Sequence, residues 1–84
     1  MMIEVSTYEE QEVWLASDLE EAFLGIGEQG NHNVAVYDYD KCVEVLMKRD
    51  GGTRDEVEEH MSYNVTGSDL GRRTPVFVNL KKIV

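Results

Sequence analysis

Residues 34–52 read VAVYDYDKCVEVLMKRDGG, and the interpretation of this stretch decides the fold. Val34-Ala35-Val36-Tyr37 is β-branched, aromatic and bounded by turn formers, which predicts a buried strand. The period then changes. Tyr39, Cys42, Val43, Leu46 and Met47 recur at spacings of three and four and so share one face of an α-helix. Lys48 and Arg49 stand in its last turn, at the negative end of the helix dipole, and Asp50-Gly51-Gly52 stops it.

The junction holds two aspartates one residue apart, Asp38 and Asp40. Either carboxylate can accept hydrogen bonds from the unpaired N–H groups of the starting helix, and a second one in the first turn gains from the dipole. A chemical reading is also open, because two neighbouring carboxylates can bind a cation or exchange a proton. Capping is the simpler account, since a metal cage needs more oxygen ligands than this stretch supplies.

Before the junction, residues 2–5 alternate weakly and predict a short edge strand. Ser6-x-x-Glu9, Thr7-x-x-Glu10 and Ser17-x-x-Glu20 each spell a capping box. Leu15, Leu19, Ala22, Phe23 and Ile26 then predict an amphipathic helix over 15–26, which Gly25, Gly27 and Gly30 end and Asn31-His32-Asn33 follow as a turn. After the junction, Thr53-x-x-Glu56 opens a further helix with Val57, His60, Met61, Asn64 and Val65 on its inner face, closed by Gly67. A polar loop, 68–73, leads to a last strand over 74–80, with Pro75 at its start or on an edge. The expected fold is α+β, a single domain over 1–84 in the order (β)αβααβ: a two- or three-stranded sheet covered on one face by about three helices.

Composition narrows the function. The chain of 84 residues is long enough for one modest core, and its 42% hydrophobic content, gathered into periodic segments, argues for a folded protein. MMIEVSTYEE (1–10) has neither a positive n-region nor a long apolar h-region, no apolar run of membrane-spanning length occurs, and the single cysteine cannot form an internal disulfide, so a cytoplasmic location with no membrane association is expected. The net charge of −9 is uneven: residues 1–40 carry ten acidic side chains and no Lys or Arg, whereas 41–84 carry eight basic against seven acidic. Such a distribution repels nucleic acid and favours basic protein surfaces.

Other motifs have ordinary explanations. Gly25-x-Gly27-x-x-Gly30 matches the dinucleotide fingerprint, but a fingerprint follows a strand and opens a helix, and Glu28 would sit where pyrophosphate lies. Cys42 and His60 fall on the inner faces of successive helices and could approach, yet a free cysteine usually packs as a small hydrophobe. Arg72-Arg73 and Lys81-Lys82 flank the last strand without an aromatic platform, which suits a charge-protected strand edge better than a nucleic-acid footprint. Trp14 is either a core anchor or an exposed contact residue.

Four segments, EEAFLGIGEQ (20–29), VAVYDYDKCVEVLMKRDGG (34–52), EVEEHMSYNV (56–65) and TPVFV (74–78), together resemble a group of small uncharacterised proteins encoded by bacteriophages and prophages. Its features are a Tyr-Asp-Tyr-Asp-Lys-Cys core, an Arg-Asp-Gly turn, an acidic helix ending in Asn-Val, and a Thr-Pro-hydrophobic strand. The resemblance implies a setting, a phage protein working in a bacterial cytoplasm.

Three functional expectations follow. The first is a non-enzymatic accessory protein that binds a basic-surfaced host or phage protein through Glu9, Glu10, Glu12, Asp18, Glu20, Glu21 and Glu28. Its special case is DNA mimicry, in which carboxylates stand in for phosphates on a host nucleic-acid-binding protein. The second is a small metal-binding protein or enzyme centred on Asp38, Asp40, Cys42 and His60. The third, nucleic-acid binding through Arg72, Arg73, Lys81 and Lys82, is opposed by the net charge, so no direct nucleic-acid binding is expected. No cofactor is expected, and free strand edges leave a homodimer open.

Overall fold

The structure is a computed structural model that describes residues 3–64 and 73–81. β1 (Ile3–Tyr8) and β2 (Gln11–Ala16) form an antiparallel hairpin, with Ile3 opposite Ala16 and Tyr8 opposite Gln11. A short 3₁₀ turn, Glu20–Ala22, leads into β3 (Phe23–Gln29), which pairs antiparallel with β4 (His32–Asp38). The chain then forms α1 (Tyr39–Asp50) and α2 (Arg54–Asn64) and returns as β5 (Val76–Val78), parallel to β4 on its other edge. The α+β class is as expected. The described residues hold two α-helices and two sheets, ordered β1-β2 and β3-β4-β5.

The junction folds as its sequence predicts. Asp38 caps α1: its Oδ1 accepts the backbone N–H of Lys41 at 3.1 Å. At the other end the N–H of Gly51, at φ 74°, donates to Met47 O at 2.9 Å. α2 opens on a reciprocal box, Glu56 N–H to Thr53 Oγ1 at 3.3 Å and Thr53 N–H to Glu56 Oε1 at 3.3 Å. These are local signals, and they agree with the hydrophobic period of each helix.

The helix expected over 15–26 does not form. In its place stand the end of β2, the 3₁₀ turn and β3. Asp18 takes a left-handed conformation, φ 65°, which breaks any helix there. The glycines read as a helix stop are strand residues instead: Gly25, at φ 149°, absorbs the register shift where β3 bulges between Phe23 and Gly25. Gly27 lets β3 approach β4, since a Cβ there would lie 3.1 Å from Val36 Cγ2. The capping boxes at Ser6 and Thr7 are likewise corrected, both residues lying inside β1. His32 and Asn33 open β4 rather than continuing a turn. The last strand is shorter than 74–80, with Pro75 buried just before it. The Asn64 side chain, Val65, Gly67, the loop 68–72, Arg72, Lys82 and Met2 lie outside the described residues.

One core joins all the pieces. Val13 and Ala16 from β2, Leu19 and Ala22 from the connection, Ala35 and Tyr37 from β4, Cys42, Val43 and Leu46 from α1, and Val57 and Met61 from α2 are buried together. Tyr37 is its keystone. The ring stacks on Phe77 and meets Phe23 edge-on, each at 5.5 Å, while the hydroxyl accepts Ala16 N–H at 2.9 Å and donates to Ala16 O at 3.4 Å. That hydroxyl clips the β1–β2 hairpin to the three-stranded sheet. Trp14 sits half-buried opposite Val5 across the hairpin, its indole Nε1 buried without a hydrogen-bond partner among the described residues.

Candidate functional site

The seven acidic residues singled out above are all exposed, and they divide into two groups. Glu9 and Glu10 form the β1–β2 turn, with Glu12 two residues on. Gln11 Oε1 accepts the backbone N–H of Asn33 at 3.3 Å, and Asn33 is the register partner of Glu28. The two hairpin tips therefore lie side by side, and Glu9, Glu10, Glu12 and Glu28 share one end of the molecule. Arg73 reaches this end too, donating its Nε–H to the Glu12 carbonyl at 3.2 Å.

Asp18, Glu20 and Glu21 lie beyond the other end of β2, a strand of six residues and so about 17–20 Å long. Here one of the three charges, that of Asp18, is met from within the chain. Arg49 Nη1 pairs with Asp18 Oδ2 at 3.3 Å, and Val45, Lys48 and Arg49 of α1 share a shallow hollow with all three acids. An exposed ion pair of this kind contributes at most about 1 kcal/mol, but it does offset the local field.

The Glu9-Glu10 turn has an unusual backbone. Both residues have positive φ, 49° and 65°, the geometry that matches the twist of a two-residue hairpin. Such turns ordinarily take Asn-Gly or Asp-Gly, because a Cβ in the left-handed region costs roughly 1–2 kcal/mol per residue. The neighbouring β3–β4 turn, Gly30-Asn31, differs, with a glycine at φ 63° in its first position and no other residue at positive φ.

The second candidate set is spread over separate tasks. Asp38 caps α1. Asp40 Oδ1 accepts Arg54 Nη2–H at 2.7 Å, and Arg54 Nε also donates to Glu58 at 2.9 Å, so the first turns of the two helices are tied together. Cys42 is fully buried; burial first, and the Asp38 charge second, push its thiol pKa up to about 12. It stays protonated at neutral pH, whereas nucleophilic attack and metal ligation need the thiolate. His60, expected on the inner face of α2, is exposed beside the Gly51-Gly52 turn instead, since Val57 and Met61 take the buried positions. Among the described residues no group of three or more His, Cys, Asp or Glu is placed to hold a metal ion. Lys81 is exposed.

Sequence reasoning missed the residues that align the acidic tips. Gln11 and the buried Asn33 join them, and the signal was a polar residue opening the apolar run of β4. The left-handed Glu-Glu turn had no signal, because glutamate is not a residue that turn rules place there. Among the described residues no helix is long and apolar enough to cross a membrane. Comparison with protein-family models, curated proteins and solved structures finds no match.

Proposed function

We propose that this chain is a non-enzymatic interaction protein that binds a basic-surfaced protein through the carboxylates at its paired hairpin tips. The Glu9-Glu10 turn carries this reading. A hairpin under selection for stability alone does better with Asn-Gly, yet two glutamates occupy the strained positions, and both are exposed. Backbone strain retained at one place is a pointer to a task there, and the task that two exposed carboxylates suit is contact with cations. Glu12 and Glu28 belong to the same negative patch, where Arg73 adds one positive charge, while at the other end Arg49 pairs with both Asp18 and Asp50. The phage setting rests on the sequence resemblance, and a cytoplasmic host protein is the partner it favours.

In its narrower form the proposal is DNA mimicry. Duplex DNA carries about one charge per 1.7 Å, and the four tip carboxylates are the group this reading sets in place of its phosphates. Asp18, Glu20 and Glu21 would make a separate contact.

The test is capture of a bacterial partner by the wild-type chain and by two variants. Glu9→Gln with Glu10→Gln keeps the backbone and removes the charge; Glu9→Asn with Glu10→Gly removes charge and strain together. Both should lose the partner, and wild-type capture should fade toward 1 M salt, where the screening length falls to about 3 Å. Capture that survives both substitutions, or is indifferent to salt, overturns the reading. Competition by duplex DNA for the captured protein separates mimicry from other acidic contacts.

A further inference from the structure

A half-open hollow of about 160 Å³ lies between the β1–β2 hairpin and the three-stranded sheet. Its apolar walls are Leu15, Ala16, Phe23 and Tyr37, and its rim carries two carboxylates, Glu4 and Glu20. The hairpin register supplies one side, with Glu4 opposite Leu15, and the sheet register the other, with Phe23 opposite Tyr37. Phe23 leaves 40% of its surface exposed although it stands in ring contact with the core, as a wall residue of an open cavity does. Both rim charges also help raise the Tyr37 phenol pKa, after burial itself, so they lie within electrostatic reach of the floor.

The chemistry of the hollow selects its occupant. Among the described residues no ion pair engages Glu4 or Glu20. Glu20 Oε1 accepts the Asp18 N–H at 3.3 Å. Aromatic and aliphatic walls below two carboxylates ask for a group that is flat, apolar along its stem and positive at its head. A guanidinium meets all three conditions: it stacks on rings, offers five N–H donors in a fixed fork, and is more weakly hydrated than an ammonium. Size agrees, since a cavity of about 150 Å³ accepts a benzene-sized group, and a nucleotide would not fit.

We infer that this hollow receives one arginine side chain of a basic partner protein, stacked against Phe23 and held at the rim by Glu4 and Glu20. The inference rests on the interaction reading above but uses a different part of the surface, and so fails or stands separately. The acidic tips attract the partner, and the hollow fixes where it docks.

The experiment is a nuclear magnetic resonance titration of the full chain with N-acetyl-arginine methylamide. The neutral isostere N-acetyl-citrulline methylamide and N-acetyl-lysine methylamide are run in parallel. Arginine should give saturable shifts at Leu15, Ala16, Glu20, Phe23 and Tyr37, and binding should weaken roughly tenfold in Glu4→Gln with Glu20→Gln, both exposed positions that leave the core intact. Citrulline and lysine should bind more weakly by a similar factor, and Phe23→Leu should reduce the arginine preference over lysine. Equal responses to the three probes, shifts centred on residues 9–12, or no saturable shift overturns the inference. Glu9→Gln with Glu10→Gln should leave the titration unchanged. Arginine binding with tip-independent partner capture sinks only the tip reading, and tip-dependent capture without arginine binding sinks only this one.

Discussion

The two hairpins of this molecule are built to opposite specifications. β4 is the middle strand of its sheet, buried from Asn33 to Ala35 and again at Tyr37, and its turn begins with glycine at positive φ. Among the described residues β1 has one neighbour; it leaves every residue from Glu4 to Tyr8 exposed and turns on two strained glutamates. β2 is attached to the rest mainly through side chains: the Tyr37 hydroxyl on Ala16, the Gln11 amide on Asn33, and Arg73 on the Glu12 carbonyl. The difference teaches where stability and recognition are separated. One hairpin lies at the centre of the fold, and the other gives Val13 and Ala16 to the core while its outer strand and turn carry charge.

The sharpest way to break this contrast is Tyr37→Ala, which removes the ring between Phe23 and Phe77 together with the hydroxyl clip. It should cost about 3–5 kcal/mol by chemical denaturation, a large part of the stability of so small a domain. Alkali should probe the same anchored side. Burial pushes the Cys42 thiol from its ordinary 9.0 up to about 12 in the folded chain, so this group's contribution is intact below pH 9 and is lost as pH rises toward 12. The raised phenols of Tyr37 and Tyr39 act in the same direction. Denaturation midpoints across that window should fall less steeply for Cys42→Ala than for wild type, and thiol labelling of the native protein at neutral pH should be slow.

A smaller effect separates the hairpins from one another. Tyr37→Phe keeps the ring but leaves the Ala16 N–H buried and unsatisfied, for about 1–3 kcal/mol. Hydrogen exchange should then quicken first in β1 and β2 while β4 and α1 stay protected; uniform loss of protection would show that the hairpins are not separable units. The smallest change has the opposite sign. Glu9→Asn with Glu10→Gly should stabilise the protein by about 1 kcal/mol, since it relieves two left-handed glutamates, and a thermal melt that does not rise would mean the turn carries no strain.

How far the sequence could be read follows the same division. From Val34 to Met61 the local signals agree with one another: a β-branched run, an aspartate cap, a helical period, a glycine stop and a reciprocal capping box all point to the elements that form. Between Leu15 and Ile26 a helical spacing arose by coincidence, because a strand end, a 3₁₀ turn and a bulged strand each left apolar residues three or four apart. Gly25 reads as the end of that helix, and the turn that makes a hairpin of residues 3–16 is written in glutamates, which turn rules do not place there. The exposure of the acidic residues was legible from their chemistry. Their division into two groups depends on Gln11 meeting Asn33 across 22 positions, and the hollow lined by Phe23 and Tyr37 depends on two sheets meeting, neither of which a local pattern encodes.

The parallel pairing of β4 with β5 has a consequence for biosynthesis. Val36 finds its neighbour in Val76, and Tyr37 finds Phe77, so both helices must be made before the central strand gains its second flank. Such a long-range pairing carries a chain-closure cost that local helices do not share. A nascent chain emerging from the ribosome therefore holds its sheet ajar until residues 76–78 are free, and the last aromatic to arrive is the one that seals Tyr37.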